Sequence, residues 1–174
     1  MKDWKYILRL TLVLFLITAV VAGLLGLVNE LTADRIAENT AKKAREAMQQ
    51  VLPAEEYTPL AVVGDEISEI YKCSGGYVVR LTVNGFGGEI DMMVGIDEAC
   101  SVTGIAIVSH SETASLGANC TRADWQSQFV GAREAQSVSK DGGEIDALTG
   151  ATITSRAVTE GVNRALAFVK EVAE

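Results

Sequence analysis

One histidine, two prolines and three cysteines are all that this 174-residue chain holds of those types. A zinc site built from several histidines is thereby excluded, and a Ser-His-Asp arrangement has only His110 to draw on. Cys73, Cys100 and Cys120 fit no metal-binding spacing. Their odd number leaves at least one thiol free and allows at most one internal disulfide; buried small hydrophobes are the simplest reading. There is also no block of lysine and arginine. With 23 acids against 15 bases, a net charge of −8, the chain matches neither nucleic acid nor anionic lipid headgroups. No G-x-S-x-G elbow, dinucleotide fingerprint, internal repeat or low-complexity tract occurs. His110 and Ser111 are adjacent, and neighbours on a strand face opposite sides, which argues against a hydrolase pair. Charged residues at 22% and apolar residues at 48% describe a folded protein of one domain, or one domain with an appendage.

The apolar residues are unevenly spread. From Leu10 to Val28 nineteen positions carry no formal charge. As a helix this run spans about 28 Å, close to the hydrocarbon thickness of a bilayer. Lys2, Lys5 and Arg9 precede it, as in a signal peptide, and Val20-Val21-Ala22 loosely resembles a cleavage site. The run exceeds the usual apolar core of about 7–15 residues, however, and no cysteine follows closely to accept a lipid. We read residues 10–28 as a retained transmembrane helix. Three bases on the near flank against Arg35 on the far one favour a cytoplasmic N-terminus, residues 1–9, with the remainder outside the cytoplasm in the inner or plasma membrane. Positions 29–174 hold 22 acids and 12 bases, so the part beyond the anchor is more acidic than the whole.

Residues 29–53 read as a stalk helix. Ala33, Ala37, Ala41, Ala44, Met48 and Val51 recur at three- and four-residue steps, with Asp34, Glu38, Lys42, Arg45 and Gln49 on a solvated face, and Pro53 ends it. Residues 54–174 form the domain. Tyr77, Val79, Leu81 and Val83 alternate with polar neighbours except at Val78. Ile90, Met92, Val94 and Ile96 alternate too, although Met93 makes the second face less clearly polar. Asn84-Gly85-Phe86-Gly87-Gly88 between them is a tight hairpin connection, and short connections imply antiparallel pairing. Val102–Ser109 is a third β-rich run, and Lys72 with the residues before it suggests another strand. Trp125 and Phe129, four apart, suit a short helix near 122–130 ended by Gly131, with both rings in the core rather than stacked on a ligand. Val158, Val162, Ala165, Leu166, Val169 and Val172 mark one face of a last helix over about 154–173. The fold class is α+β: a transmembrane helix and stalk, then an antiparallel sheet with a C-terminal helix packed on it.

The stretch richest in chemistry is Asp146-Ala147-Leu148-Thr149-Gly150-Ala151-Thr152, followed by Ile153-Thr154-Ser155. Small and hydroxylated residues collect where a helix begins. Helix N-termini expose unpaired N–H groups and the positive dipole end, which suits a phosphate. Gly150 and Ala151 permit close approach to the backbone, and Thr149, Thr152, Thr154 and Ser155 supply hydroxyls. The residues alone leave two readings open: an N-cap preceded by a turn, or an anion site.

The string D-A-L-T-G-A-T resembles the D-x-x-(S/T)-G-A-T attachment signal of covalently flavinylated FMN-binding domains. In that family the last threonine is esterified to the FMN phosphate by a dedicated flavin transferase. The resemblance thus implies covalent FMN on Thr152, with Asp146, Thr149, Gly150 and Ala151 as surrounding recognition residues. Gly85–Ile90 leading into Met93–Asp97 resembles the glycine-rich hairpin of the same domain. His110-Ser111-Glu112-Thr113 with Leu116-Gly117 looks like the H-x-E-T-P-G-L-G segment of the G subunit of Rnf complexes, departing at Ala114 and Ser115, where Pro and Gly are usual. It implies that Glu112 and Thr113 contact the flavin, with Leu116 and Gly117 near the ring. Without the resemblance, Glu112 is equally a solvated loop carboxylate.

What the resemblance implies is an electron-transfer subunit, not catalytic alone, of a membrane-bound ion-translocating ferredoxin:NAD oxidoreductase. Its partners would be other membrane subunits and the flavin transferase, with no nucleic acid and no metal. An alternative is the FMN-binding subunit of a sodium-translocating NADH:quinone oxidoreductase, normally considerably longer, or another extracytoplasmic flavin reductase. A membrane-tethered binding or sensor domain is the non-enzyme alternative. The absence of an obvious nucleophile–base pair suits a protein whose cofactor carries the redox chemistry.

Overall fold

A computed structural model describes residues 2–61 and 67–173. Helix α1 runs from Lys2 to Val51. Five strands follow: β1 Thr58–Leu60, β2 Glu69–Cys73, β3 Gly76–Asn84, β4 Glu89–Asp97 and β5 Val102–His110. A short helix α2, Ala123–Gln126, and several 3-10 turns lead to the final helix α3, Thr152–Ala173.

The chain divides into two units, with the boundary between Lys42 and Lys43. In the first, the apolar side chains of residues 10–28 are exposed on every side, and the helix is long and apolar enough to cross a membrane. The two threonines inside this run are satisfied locally. Thr11 donates to the carbonyl of Ile7 and Thr18 to that of Leu14, both at 3.0 Å. Neither hydroxyl would therefore lack a partner in hydrocarbon.

The second unit is a five-stranded antiparallel sheet in sequence order, β1-β2-β3-β4-β5. The alternation expected of β3 and β4 is the observed register: Val79 pairs with Val94, Leu81 with Met92 and Val83 with Ile90. These residues face α3, whose Val158, Val162, Ala165, Leu166 and Val169 complete the main core. Gly161 sets that approach, since a Cβ there would meet the Met92 sulfur at 2.8 Å and Val83 at 3.0 Å.

The opposite sheet face is also covered. Val78, Met93, Ala106 and Val108 bury against Ala44, Ala47, Met48, Val51 and Leu52, the last turns of α1 and the residue after it. The C-terminal part of the expected stalk is thus a layer of the folded unit. It rests on a glycine floor: Gly95 and Gly104 are register partners beneath Val51. Thr103 Oγ1 donates to the Val51 carbonyl at 2.5 Å, satisfying one of the acceptors that a helix end leaves open. Arg80, on this face too, makes a two-point pair with Asp91 at 3.0 and 2.8 Å and reaches Glu69 at 3.3 Å.

Three elements differ from expectation. Strand β1 has no counterpart in the sequence pattern; it is three residues long and includes Pro59, which confines it to the sheet edge. The helix near 122–130 is one α-turn followed by a 3-10 turn over Ser127–Phe129, with Gly131 at φ +89°. Helix α3 begins at Thr152 rather than near Thr154, so the threonine of interest is its first residue.

Candidate cofactor site

The segment before α3 is a tight turn. Ala151 N donates to the Leu148 carbonyl at 3.0 Å, and Gly150 adopts φ +75°, which a side chain would resist. The Ser155 hydroxyl, fully buried, accepts from Leu148 N at 2.9 Å and donates to the Ala151 carbonyl at 3.0 Å, holding the turn against the helix. Ser155 N donates to the Ala151 carbonyl as the first rung of the ladder. The amides of residues 152–154 precede that rung and point out of the helix end.

A cleft of about 280 Å³ opens at this terminus. Its wall brings together three distant segments: Phe86 from the β3–β4 hairpin; Glu112, Thr113, Leu116 and Gly117 from the loop after β5; and Gly150 to Thr154. The volume is just under the roughly 300–1,000 Å³ of ordinary ligand pockets, so a nucleotide-sized ligand seated there keeps an exposed edge. Phe86 (70% exposed), Leu116 (44%) and Ile153 (50%) form its apolar rim. Among the described residues of this unit, Val130 and Val172 are the other large apolar side chains so exposed.

Glu112 is the buried anchor of the cleft. Its carboxylate accepts from Gly87 N at 3.0 Å and from the Thr154 hydroxyl at 2.8 Å, tying the hairpin, the loop and α3 together. Gly85 and Gly117 flank it so closely that a Cβ at either position would collide with the carboxylate. His110 Nδ1 accepts from Glu112 N at 3.2 Å, so the histidine braces the loop. The solvated-loop reading of Glu112 is not what the fold shows. Beneath it lies Cys120, whose thiol is pushed up to about 11 by burial and then by the Glu112 charge.

Thr152 is half-buried at the cleft edge. Its Oγ1 accepts a hydrogen bond from the Lys140 ammonium at 2.8 Å. Sequence reasoning missed Lys140, which lies twelve residues upstream in an unpatterned loop. It also missed Phe86 as a cleft residue, although the glycines around it marked the turn. Of the expected site residues, Thr152, Gly150, Ala151, Thr154, Glu112, Thr113, Leu116 and Gly117 line the cleft. Ser155 lies behind it. Asp146 and Thr149 are exposed and line a separate hollow with Trp125 and Gln128. There Trp125 Nε1 donates to the Asp146 carbonyl and Asp146 N donates to Gln128, both at 2.7 Å. Trp125 and Phe129 are core residues in edge-to-face contact, centroids 5.3 Å apart. Among the described residues no cluster of His, Cys, Asp and Glu could hold a metal ion.

The geometry agrees with what the chain resembles. Residues 85–167 match the model of the FMN-binding domain, and residues 1–51 match that of the RnfG N-terminal region. The G subunit of the Na(+)-translocating ferredoxin:NAD(+) oxidoreductase complex of Acetobacterium woodii is 38% identical, covering 94% of this chain and 92% of its own. The G subunit of the ion-translocating oxidoreductase complex of Methanosarcina acetivorans is 36% identical, covering 97% of each. In fold, the crystal structure of the C subunit of Na(+)-translocating NADH-quinone reductase from Parabacteroides distasonis superposes with a TM-score of 0.57 at 18% identity, over 78% of this chain and 92% of that one. A relative this similar along nearly its whole length settles kinship: the chain belongs to the family of G subunits of ion-translocating oxidoreductase complexes and has that family's FMN-binding domain.

Proposed function

We propose that this chain is the electron-carrying G subunit of a membrane-bound ion-translocating ferredoxin:NAD oxidoreductase, with FMN joined through its phosphate to Thr152 Oγ1. The observation that carries the reading is the convergence of three remote segments on the first residue of α3, around a cleft rimmed by apolar side chains. When bound, FMN supplies the redox chemistry; the protein contributes binding, orientation and electrostatics. The amides of residues 152–154 and the helix dipole favour the single negative charge of a phosphodiester. Gly150 keeps the backbone clear beside it. Phe86, Leu116 and Ile153 offer apolar surface to a ring, and the shallow cleft leaves an edge open to exchange electrons with a partner.

Asp146 and Thr149 face away from the cleft, which suits recognition by the flavin transferase better than contact with the flavin. The basic flank of the anchor favours the domain outside the cytoplasm, where a diffusible cofactor would be lost and a covalent one is retained. The uncharged span of residues 10–28 offers no path for an ion, so multi-spanning partner subunits carry it. Mass spectrometry of the protein isolated from its native membrane tests the reading directly. The expected result is an added mass equal to FMN less water on the peptide containing Thr152, absent from Thr152→Ala. Flavin surviving denaturing electrophoresis on that variant would place the attachment elsewhere.

A further inference from the structure

We propose that Lys140 is the counter-cation of the phosphodiester at Thr152, a phosphate-binding residue of the flavin site. The inference rests on the reading of Thr152 as the attachment point. Lys140 Nζ stands 2.8 Å from the oxygen that would become the ester oxygen, so the phosphorus would be bonded to the very atom it already contacts, with the non-bridging oxygens just beyond. Among the described residues no carboxylate pairs with this ammonium; its partner is a neutral hydroxyl. A cation held at a helix N-terminus against a neutral oxygen is poised for an anion there, and charge-assisted N–H···O⁻ bonds are the stronger kind.

The lysine is delivered to this position by the fold. It sits in a 3-10 turn, Ser139–Asp141, closed by Gly142 at φ +85°. The base of the turn is fixed: Val138 and Ile145 are core residues and bridge partners, with Ser139 N donating to the Ile145 carbonyl at 2.7 Å. The next residue, Asp141, grips Arg156 at two points, 2.7 and 2.6 Å. Arg156 lies one helical turn beyond Thr152 on the same side of α3. That pair clamps the turn to the helix and consumes the arginine's charge, so that of these two cations beside the start of α3 it is Lys140 that meets no carboxylate among the described residues. In a chain of net charge −8 a new anion needs such a local partner. In this role the ammonium exchanges a hydroxyl acceptor for anionic oxygens.

The test uses the full-length chain produced together with a flavin transferase, with covalent flavin followed over time by in-gel fluorescence and intact mass. Wild type, Lys140→Met, Lys140→Arg and Thr152→Ala are compared, with thermal melts of each. Lys140 is exposed, so Lys140→Met is expected to melt as wild type while its labelling slows about five- to tenfold. Lys140→Arg, which keeps the charge, is expected to label within about twofold of wild type. Labelling of Lys140→Met at the wild-type rate, with Thr152→Ala unlabelled, would overturn the role of Lys140 and leave the attachment reading intact. Equal slowing in Met and Arg variants would show that charge is not what matters, which also overturns it. Labelling of Thr152→Ala would remove the attachment reading beneath it.

Discussion

Ser115 adopts φ +63°, the left-handed region that L side chains resist. It occupies the position where the Rnf-type segment usually has glycine, so the loop keeps a glycine-like conformation with a serine in it. The loop closes by its own bonds: Leu116 N and Ala118 N both donate to the Thr113 carbonyl at 3.2 Å, and Asn119 Nδ2 donates to that of Ser115 at 3.0 Å. Cys120 lies just beyond and gives this scale its prediction. Burial, with the Glu112 charge, raises its thiol from 9.0 to about 11. The folded chain therefore holds that proton more tightly than the unfolded one. The stabilisation is complete below pH 9 and is lost as pH rises toward 11, an effect on the order of 2 kcal/mol. Urea titrations at pH 8 and pH 11 should show wild type losing more stability than Cys120→Ala. Parallel losses would mean that the thiol does not titrate this way. That Thr152 and Gly150 belong to one site was legible because Thr149-Gly150-Ala151-Thr152 is contiguous, and both line the cleft. Lys140 was not, because its partnership with Thr152 is made by a turn clamped through Asp141 and Arg156, and no spacing rule links those four positions.

Among the elements, the strands were the most legible, since a sheet with one face on a core writes its register as a period of two. The exceptions to the alternation were equally informative. Val78 and Met93, apolar where polar residues were expected, mark the second covered face, and only the fold shows that the end of α1 covers it. Small alanines at Ala44 and Ala47 carry no strong signal of what they touch. The contact depends on Gly95 and Gly104, whose two positions differ in clearance. A Cβ at Gly95 would stand 2.5 Å from both the Val51 carbonyl oxygen and Thr103 Oγ1; at Gly104 it would stand 3.3 Å from Val51 Cα. Gly95→Ala must lift the helix end off the sheet, losing core contact and the Thr103 bond, and is expected to cost about 3 kcal/mol or more. Gly104→Ala needs a shift of a few tenths of an ångström and should cost about 1 kcal/mol. Chemical denaturation of the two variants measures the difference; equal costs would mean that Val51 does not sit on this floor.

At the scale of the whole molecule, the boundary that matters for folding is not the end of a helix. A long apolar run, its helical continuation and a strand-rich part were readable from composition and periodicity, but the helix runs unbroken from Lys2 to Val51 while the compact unit begins at Lys43. Hydrophobic repeats locate a helix without saying where its environment changes from lipid or water to protein. The consequence is a pair of truncations with opposite outcomes. Removing residues 1–42 deletes the exposed apolar span and retains Ala44, Ala47, Met48, Val51 and Leu52 on the sheet. That fragment is expected to be monodisperse without detergent and to melt cooperatively. Removing residues 1–52 uncovers Val78, Met93, Ala106 and Val108, each 8% exposed or less in the intact fold. At about 1.5–3 kcal/mol for burying a large apolar side chain, the lost layer amounts to most of the stability of an ordinary domain, roughly 5–15 kcal/mol. The shorter fragment should therefore aggregate or lack a cooperative melt in size-exclusion and circular-dichroism measurements. If both fragments melted alike, the last turns of α1 would be a connector rather than a layer of the FMN-binding domain. The glycine floor beneath Val51 would then need another explanation.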